Sequence, residues 1–254
     1  MSDPTKELFD TYLPNYERRG RGRSRSLAEV SEFLLDHIPR WIERINKDAR
    51  ILDAGCALGY QLGLLHELGY QNLTGVDISA PLVEVARARL PQSIPLHIED
   101  VRQFLAQTPN GSYDVILFHH VIEHIPRENT ITLLHEFRRC LTDDGYLSLK
   151  TPNAACLLSG YIGCGDFTHL VQFNEFSLLQ VLEQAQFAAE SVEFVLHPPR
   201  LFWSWHHPKR TLFRLFNRLR WHLNNLVHRA VCILLDQGPV LKVCEWEVEA
   251  LVRK

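Results

Sequence analysis

The sequence predicts an α/β fold in which a mostly parallel sheet is covered by helices on both faces. Three observations support this prediction. Short apolar runs alternate with leucine-rich segments at helical spacing, two of these runs end in the acidic residues Asp53 and Asp77, and Gly55 and Gly59 follow the first run. Strands and helices that alternate in this way form parallel sheets, and ligands bind at the carboxyl ends of the strands.

The stretch RILDAGCALGY, residues 50–60, predicts a strand, a tight turn and the start of a helix. Its two glycines allow the backbone to turn sharply and to approach a ligand closely, and they place a helix N-terminus beside that ligand. The second apolar run ends at Asp77, 24 residues after Asp53. This is near the spacing at which an acidic side chain accepts hydrogen bonds from ribose hydroxyls. The two strand ends together predict a nucleotide-binding α/β domain.

The remaining elements follow in the order that a doubly covered sheet requires. Pro81 lies in the first turn of its helix, where a missing N–H costs nothing, and the fourth strand is apolar throughout, as expected for a strand buried on both faces. Pro126 indicates an early turn or a break in the helix that follows this strand. The predicted elements are helix 27–38, helix 80–90, strand 94–99, strand 114–118, helix 121–141, a strand opened by Gly145, helix 178–185, strand 189–196 and strand 241–253.

Length and composition are those of an ordinary globular protein. The 254 residues suffice for one substantial core plus an additional lobe, with 46% hydrophobic residues, 22% charged residues and a net charge of -3. The six cysteines contain no C-x-x-C pair, which predicts reduced thiols rather than a zinc cluster or disulfide framework. We expect a cytoplasmic protein, since the N-terminus has no apolar signal and no apolar run approaches the roughly 18 residues of a membrane span.

Several segments taken together resemble the class I S-adenosylmethionine-dependent methyltransferases. They cover about residues 48–197 in the family's order and spacing: 50–60, 73–78, 98–101, 113–125 and 141–153. The chain is similar to the ubiquinone-biosynthesis O-methyltransferases and to methyltransferases of bacterial glycan gene clusters. Ala57 departs from the family's Asp-x-Gly-x-Gly-x-Gly loop by replacing the middle glycine. The resemblance implies a Rossmann-like, seven-stranded sheet whose last strand is antiparallel.

The resemblance also implies S-adenosylmethionine as the cofactor and assigns the residues around its amino-acid end. Gly55, Cys56 and Gly59 would face this end of the cofactor, and Asp53 would lie close to the amine. Binding would therefore combine a backbone loop with one carboxylate.

The nucleoside end of the cofactor is assigned in the same way. Asp77 would hold the ribose hydroxyls, Ile78 would lie against adenine, and Asp100 with Val101 would read the adenine edge. The end of the fourth strand would complete the wall with Phe118 and His119. Agreement between several independent segments favours this assignment over simple capping of strand ends.

Four histidines fall near the predicted pocket, and imidazole suits the deprotonation of a hydroxyl because its usual pKa lies near neutrality. Besides His119, they are His120, His124 and His169. These last three are the candidate catalytic bases, and a purely structural role is the alternative for each. Methyl transfer from a sulfonium otherwise needs mainly alignment of the nucleophile.

The motif His120-x-x-Glu123-His124 would also allow a metal site, because positions i, i+3 and i+4 share one face of a helix. Relatives in the ubiquinone pathway carry Glu-x-x-Glu-His here and are metal-linked, whereas this chain has His120 for the first glutamate. The Glu-His pair also occurs in metal-free relatives. We therefore expect no metal.

No acidic residue lies between Glu193 and Asp236, whereas seven lysines and arginines are interleaved there with aromatic residues. Leucines at helical spacing predict a basic amphipathic helix over 210–234. This segment could pack on the core as a helical subdomain, or residues 200–234 could contact an anionic membrane surface. We expect no nucleic-acid partner, because the rest of the chain has no matching basic face.

The predicted organisation has four parts: an N-terminal lid or helical segment at 1–47, a cofactor-binding core at 48–197, a basic helical insertion at 198–240 and a final core strand at 241–254. The predicted activity is methylation, on oxygen, of a small-molecule, sugar or lipid-linked acceptor. An NAD(P)-dependent oxidoreductase is the first alternative, although residues 55–60 lack the G-x-G-x-x-G order that lets pyrophosphate approach. A non-catalytic protein that keeps the fold and docks through the basic segment is the second.

Overall fold

The structure of the chain, a computed structural model, describes residues 8–9, 13–14, 40–156, 158–198, 208–234 and 245–254. Seven strands in these ranges form one sheet in the order β3-β2-β1-β4-β5-β7-β6. They are β1 (Ile51–Ala54), β2 (Leu73–Asp77), β3 (Leu96–Ile98), β4 (Tyr113–His119), β5 (Leu141–Pro152), β6 (Val192–Val195) and β7 (Glu247–Arg253). β7 runs antiparallel to both of its neighbours, and the other pairs are parallel. The predicted Rossmann-like sheet with an antiparallel last strand is confirmed.

The helices alternate with the strands as the sequence predicts. They are α1 (Tyr60–Glu67), α2 (Ala80–Arg89), α3 (Val101–Gln107), α4 (Arg127–Cys140), α5 (Ser159–Gly163), α6 (Glu175–Gln184) and α7 (Pro208–Leu234). Short 3-10 turns lie at Arg40–Arg44, Ile122–His124 and Ala189–Ser191. The basic amphipathic helix predicted over 210–234 is confirmed as α7, whose long apolar stripe is solvent-exposed.

Two apolar clusters cover the two faces of the sheet. Leu52 and Ile116 belong to one cluster, and their sequence neighbours Ile51 and Val115 belong to the other. Successive side chains of a strand point to opposite faces, so the central strands must be apolar throughout to fill both clusters. On β1 and β4 this double burial leaves only the strand ends available for polar groups.

Several predicted boundaries need correction. β5 begins at Leu141 rather than Gly145, and the predicted helix 121–141 divides into the 3-10 turn and α4. Pro126 precedes α4 with extended backbone angles and separates the two pieces, because proline has no N–H to continue a helical ladder. β6 is shorter than predicted, since a 3-10 turn occupies 189–191.

Other sequence predictions fall outside the described residues. Helix 27–38, most of the lid at 1–47 and the first residues of the predicted strand 241–253 lie there. The four-part division of the chain therefore stays a prediction. No helix in the described ranges has the length and apolar character needed to cross a bilayer.

Candidate functional site

The carboxyl ends of β1 and β2 place Asp53 and Asp77 at one crevice. The loop after β1 folds over the end of β2, where the amides of Gly55 and Cys56 donate to the carbonyl oxygen of Val76 at 2.7 and 3.1 Å. Asp77 fixes this loop with both carboxylate oxygens. Oδ2 accepts from the amide of Ala57 and Oδ1 from the amide of Ser79, each at 2.9 Å.

The loop needs its glycines for conformation and space. Gly55 and Gly59 have φ values of 94° and 72°, in the left-handed region that favours glycine. A Cβ on Gly55 would also lie 2.2 Å from Cγ2 of Val121, a distance that no packing allows. Ala57 adopts a φ of 43° although it carries a methyl group, which costs about 1–2 kcal/mol. The hydrogen bond that the amide of Ala57 donates to Asp77 offsets part of this strain.

Asp53 is the unusual carboxylate of the crevice. It is 3% exposed, and no hydrogen bond or ion pair reaches it from the residues that the structure describes. Burial, with a further contribution from the charge of Asp77, raises the pKa of Asp53 to about 7. A cation placed beside Asp53 would restore the ionised form, because an opposite charge offsets lost hydration. The amine of S-adenosylmethionine supplies such a cation, so this site fits the cofactor implied by the resemblance.

The predicted nucleoside-end residues lie in order around the neighbouring strand ends. Half-buried Ile78 follows Asp77 directly, and Val101 packs partly against the larger apolar cluster. Asp100 caps α3 by accepting from the amide of Arg102 at 2.8 Å and from its guanidinium at 2.9 and 2.7 Å. Burial raises the pKa of Asp100, but Arg102 outweighs it and the net pKa is lowered. Contact of Asp100 with adenine stays a prediction.

Phe118 and His119 point to opposite faces of β4. Phe118 is fully buried against Phe137, with ring centroids 4.7 Å apart, in the apolar cluster on the side away from His119. His119 lies between Gln61 Nε2, at 3.2 Å from Nδ1, and Ser148 Oγ, at 2.8 Å from Nε2. Only His119 of this pair therefore brings a polar side chain toward the crevice.

His119 belongs to a chain of hydrogen bonds that ends at Glu249. Ser148 donates its hydroxyl proton to Glu249 at 2.8 Å, so its oxygen accepts from His119 Nε2, and Gln61 donates to His119 Nδ1. Burial, together with the charge of Lys150, lowers the pKa of His119 to about 3. His119 is thus neutral, and both of its ring nitrogens are engaged.

Glu249 is the most enclosed charge of the site, with an exposure of 0%. Lys150 Nζ and His197 Nε2 lie 3.2 and 2.7 Å from its Oε2, and Trp41 Nε1 donates to its Oε1 at 3.1 Å. Burial raises the pKa of this carboxyl, but Lys150 and His197 outweigh it and hold the pKa below its usual range. Glu249 is therefore an ionised group whose charge the protein itself balances.

His120 lies between two carboxylates and differs in charge from its neighbour His119. Its Nε2 is 3.2 Å from Oε1 of Glu247, and its Nδ1 is 3.6 Å from Oε1 of Glu123. Burial lowers its pKa, but the two acids outweigh this effect and raise the pKa of His120 to about 10. The ring is a cation at neutral pH, which suits it poorly to the predicted role of base.

The backbone conformation of His120 contradicts the helix face on which the sequence would allow a metal site. His120 has a φ of 57°, and helical structure begins only at Ile122. The helix face that His120, Glu123 and His124 were predicted to share is therefore not formed. Glu123 and His124 instead meet His169, and one ligand atom from each of these three lies within 4.8 Å of the others.

His124 and His169 are brought together by the segment that follows β5. The amides of Leu170 and Val171 donate to the carbonyl oxygen of Glu123 at 2.7 and 3.1 Å, and Thr151 Oγ1 donates to its carboxylate at 3.0 Å. The two imidazole centroids lie 4.8 Å apart. Residues 45 positions apart in sequence therefore form one cluster.

Backbone carbonyls fix the tautomers of both rings. Nδ1 of His169 lies 2.9 Å from the carbonyl oxygen of Gly163, and Nδ1 of His124 lies 3.1 Å from that of Thr168. A carbonyl oxygen only accepts, so Nδ1 carries the proton in each neutral ring and Nε2 is the basic nitrogen. Burial lowers the pKa of His124, which keeps this ring neutral at pH 7.

The sequence did not reveal the partners of the histidines. Glu247 and Glu249 lie in the last strand, and Lys150 lies opposite Glu249 in the β5–β7 register. One signal was present, since charged residues stand at buried positions inside otherwise apolar strands. Pairing them required the antiparallel register, which sequence spacing does not give.

Solved structures of other proteins share this fold. A SAM-dependent methyltransferase from Archaeoglobus fulgidus matches with a TM-score of 0.65 and 22% identity, over 96% of this chain and 100% of that one. A 1,6-didemethyltoxoflavin-N1-methyltransferase from Burkholderia thailandensis, solved with S-adenosylhomocysteine, matches with a TM-score of 0.55 and 15% identity, over 100% and 91%. At these identities the likeness concerns the fold. The fold, the glycine loop after β1 and the acidic residues at the ends of β1 and β2 are together those of a class I S-adenosylmethionine-dependent methyltransferase.

The family follows from the sequence matches. Residues 26–221 match the family model of a methyltransferase domain, and the chain belongs to that family. It is 31% identical over 135 residues to a ubiquinone biosynthesis O-methyltransferase of Xanthomonas campestris, covering 52% of this chain and 54% of that protein. It is 29% identical over 150 residues to a probable S-adenosylmethionine-dependent methyltransferase of Mycolicibacterium smegmatis, covering 58% and 55%.

The chain spans about half the length of the curated relatives it matches. The predicted family is confirmed, and with it S-adenosylmethionine as the cofactor of this class. The individual contacts predicted for the cofactor stay predictions.

Proposed function

We propose that the chain transfers a methyl group from S-adenosylmethionine to an oxygen atom of a small-molecule, sugar or lipid-linked acceptor. The observation that carries this proposal is the fixed tautomer of His169. Its Nδ1–H faces the carbonyl oxygen of Gly163, which makes Nε2 the basic nitrogen beside the carboxyl edge of the sheet. A hydroxyl acceptor needs such a base because its oxygen becomes nucleophilic only as the proton leaves.

The names of relatives support oxygen as the methylated atom. The Xanthomonas protein is named an O-methyltransferase, whereas the Burkholderia protein with the same fold is named an N1-methyltransferase. The fold alone therefore leaves the atom open. A neutral amine can lose its proton after the methyl group has been transferred, so a basic nitrogen beside the acceptor is more useful to a hydroxyl.

Each group at the crevice has a distinct task in this proposal. When bound, S-adenosylmethionine supplies a methyl group that its positively charged sulfur makes electrophilic. Asp53 binds the amine, and Asp77, already held by two backbone amides, binds the ribose hydroxyls. His169 Nε2 accepts the acceptor's hydroxyl proton, and His124 packs beside the ring to orient it. His120, as a cation, holds the acids of β7 and of the 3-10 turn together.

Cytoplasmic location is part of the proposal. The five cysteines in the described ranges are all unpaired, including buried Cys56 and Cys140 and exposed Cys164. Thiols persist in this state in reducing compartments.

Calorimetry tests the cofactor, and a screen with labelled methyl donor tests the acceptor. We expect S-adenosylmethionine and S-adenosylhomocysteine to bind and NAD to show no heat. The screen compares phenols, sugars and polyprenyl-linked phenols. Binding of NAD alone supports the oxidoreductase alternative, and binding of neither supports the non-catalytic one.

His169→Asn tests the base. Asparagine can still donate to the carbonyl oxygen of Gly163 but has no basic nitrogen. We expect cofactor affinity to stay within about twofold while kcat falls by about 10²–10⁴-fold. His135→Asn, a half-buried histidine of α4, is the matched control and should retain activity. Unchanged kcat in His169→Asn would remove the base role while leaving methyl transfer intact.

A further inference from the structure

The apolar stripe of α7 faces outward. Along this helix, a row of large apolar side chains is 54–83% exposed, and the row consists of Leu212, Phe213, Leu215, Phe216, Leu219, Leu223, Leu226, Ile233 and Leu234. A surface helix normally turns such a stripe toward the core. Here the apolar face is the one directed away from the rest of the described protein.

The opposite face of α7 holds the helix to the protein. Trp221 Nε1 donates to Glu245 Oε1 at 3.0 Å, and His228, two turns further on, is 4% exposed. Trp221 and His228 each follow a stripe residue, Leu219 and Leu226, by two positions, which is about 200° of rotation on a helix. The contacts between α7 and the rest of the protein thus lie on the face opposite the apolar stripe. Closer packing of α7 on the protein would therefore leave the stripe exposed.

Positive charges lie along both margins of the stripe. Arg220 and Arg229 are exposed, and at 100° per residue they stand about 80–100° to either side of the row centred on Leu219 and Leu223. The sequence has no acidic residue from 194 to 235 to balance them. An apolar face bordered by unbalanced cations matches the boundary between the acyl chains and the anionic headgroups of a bilayer.

The charge pattern disfavours a second copy of the chain as the occupant. Two such helices placed stripe to stripe would bring arginine margins together without an opposing acid, and like charges at such positions are destabilising. An anionic lipid surface instead satisfies both the stripe and its margins. Each basic residue near such a surface strengthens binding to it.

The strands that flank α7 in the sequence end and begin near the site. β6 ends opposite Glu249 and β7 begins opposite Pro152, so the insertion leaves and rejoins the sheet at the edge where β5 ends. The segment that leaves β5 at that edge also exposes large apolar side chains, including Tyr161 at 84% and Phe167 at 90%. A membrane on α7 would therefore lie beside the edge that holds the histidine cluster.

We propose that the outer face of α7 binds the surface of an anionic lipid bilayer and brings the carboxyl edge of the sheet to acceptors that reside there. Leu219, Leu223 and Leu226 enter the acyl boundary, and Arg220 and Arg229 contact the headgroups. The lipid contact is independent of methyl transfer, since vesicle binding requires no turnover, whereas access to acceptors in the membrane rests on the proposed function.

Co-sedimentation of the full chain with vesicles tests this proposal. We expect binding to vesicles of phosphatidylcholine with phosphatidylglycerol, and at least tenfold weaker binding to phosphatidylcholine alone or in high salt. Equal binding to the two compositions, or binding to neither, overturns it.

A matched pair of variants isolates the face. Leu223→Glu and Asn224→Glu add the same charge at adjacent exposed positions, but only Leu223 belongs to the stripe. We expect Leu223→Glu to weaken vesicle binding more than tenfold and Asn224→Glu about twofold, with calorimetric cofactor affinity unchanged in both. Equal effects of the two variants contradict the lipid face, as does a wild-type dimer in light scattering that only Leu223→Glu converts to a monomer.

Discussion

Two buried carboxylates at the same edge of the sheet have opposite surroundings. Asp53 on β1 and Glu249 on β7 are 3% and 0% exposed. Glu249 is balanced by Lys150 and His197, which lower its pKa, whereas Asp53 has no described partner and burial raises its pKa to about 7. The fold thus compensates one charge fully and leaves the other to be compensated by something it binds.

The contrast separates a structural acid from a binding acid without reference to sequence motifs. Burying a charge is costly wherever it occurs, so an unpaired carboxylate persists only if a ligand repays the cost or if a proton neutralises it. Substitution should therefore affect the two positions in different ways, in folding at Glu249 and in cofactor affinity at Asp53.

Glu249→Gln should have the largest effect. The substitution leaves Lys150 buried without its carboxylate, and breaking a buried pair from one side typically costs about 3–5 kcal/mol. We expect the free energy of unfolding, measured by urea denaturation at pH 7, to fall by that amount. Glu193→Gln, an exposed position on β6, serves as the control and should change it by less than about 0.5 kcal/mol. A Glu249→Gln protein as stable as wild type would remove the distinction drawn between the two acids.

Asp53→Asn should weaken S-adenosylmethionine binding by about 10–100-fold, because a charge-assisted contact with the amine is lost. Stability should move the other way. The folded pKa of Asp53 is raised above its unfolded value, so its stabilising contribution is present at low pH and is lost as pH rises through about 7. The variant should therefore be more stable than wild type at pH 8, by on the order of 1–4 kcal/mol.

Calorimetry and thermal unfolding check both effects of Asp53→Asn. Asp114→Asn is the matched control, since Asp114 pairs with Arg50 near the opposite end of the sheet. It should leave cofactor affinity unchanged. Weakened binding together with a lowered unfolding temperature at pH 8 would indicate that Asp53 is structural, as Glu249 is.

The pH dependence of cofactor affinity should sharpen the comparison further. Below pH 7 the carboxyl of unliganded Asp53 is protonated and must lose that proton before it pairs with the amine. We expect the dissociation constant, measured by calorimetry, to rise about tenfold from pH 8 to pH 6. Asp53→Asn should show a flat profile over this range, and a wild-type profile equally flat would contradict the raised pKa.

Ala57→Gly should have the smallest effect and the opposite sign. The left-handed backbone at Ala57 costs about 1–2 kcal/mol, and glycine removes this strain. Glycine also makes the unfolded chain more flexible, which lowers the free energy of unfolding by about 0.4–1 kcal/mol and offsets part of the improvement. We expect the free energy of unfolding to rise by up to about 1 kcal/mol, with cofactor affinity within twofold. A clear loss of stability would mean that the methyl group packs usefully in the loop.

The sequence predicted the binding acid better than the structural one. Asp53 and Asp77 follow apolar runs at a spacing that strand ends impose, so local pattern sufficed to place them. Glu249 meets Lys150 only through an antiparallel register between segments about 100 residues apart, which no local pattern encodes. Spacing could thus predict the crevice but not the charge network beside it.

The histidines and α7 show the same limit. A helix was predicted to begin at 121, yet His120 takes a left-handed φ and meets Glu247 of the last strand, which makes it a cation. The amphipathic pattern of α7 predicted a helix correctly. Amphipathicity alone does not show which face of α7 packs against the rest of the protein. Contacts such as the one between Trp221 and Glu245 determine that face.

The hydrogen-bond chain from Gln61 to Glu249 has a consequence for biosynthesis. Gln61 opens the helix after the glycine loop, while Glu249 belongs to β7, which lies between β5 and β6 and leaves the ribosome after both. The glycine loop is held by Asp77 and Val76 of β2 as soon as that strand is made, whereas the side-chain network behind Gln61 is completed only when the last strand of the sheet has emerged. Nascent chains that stall before β7 should therefore leave Ser148 without its acceptor.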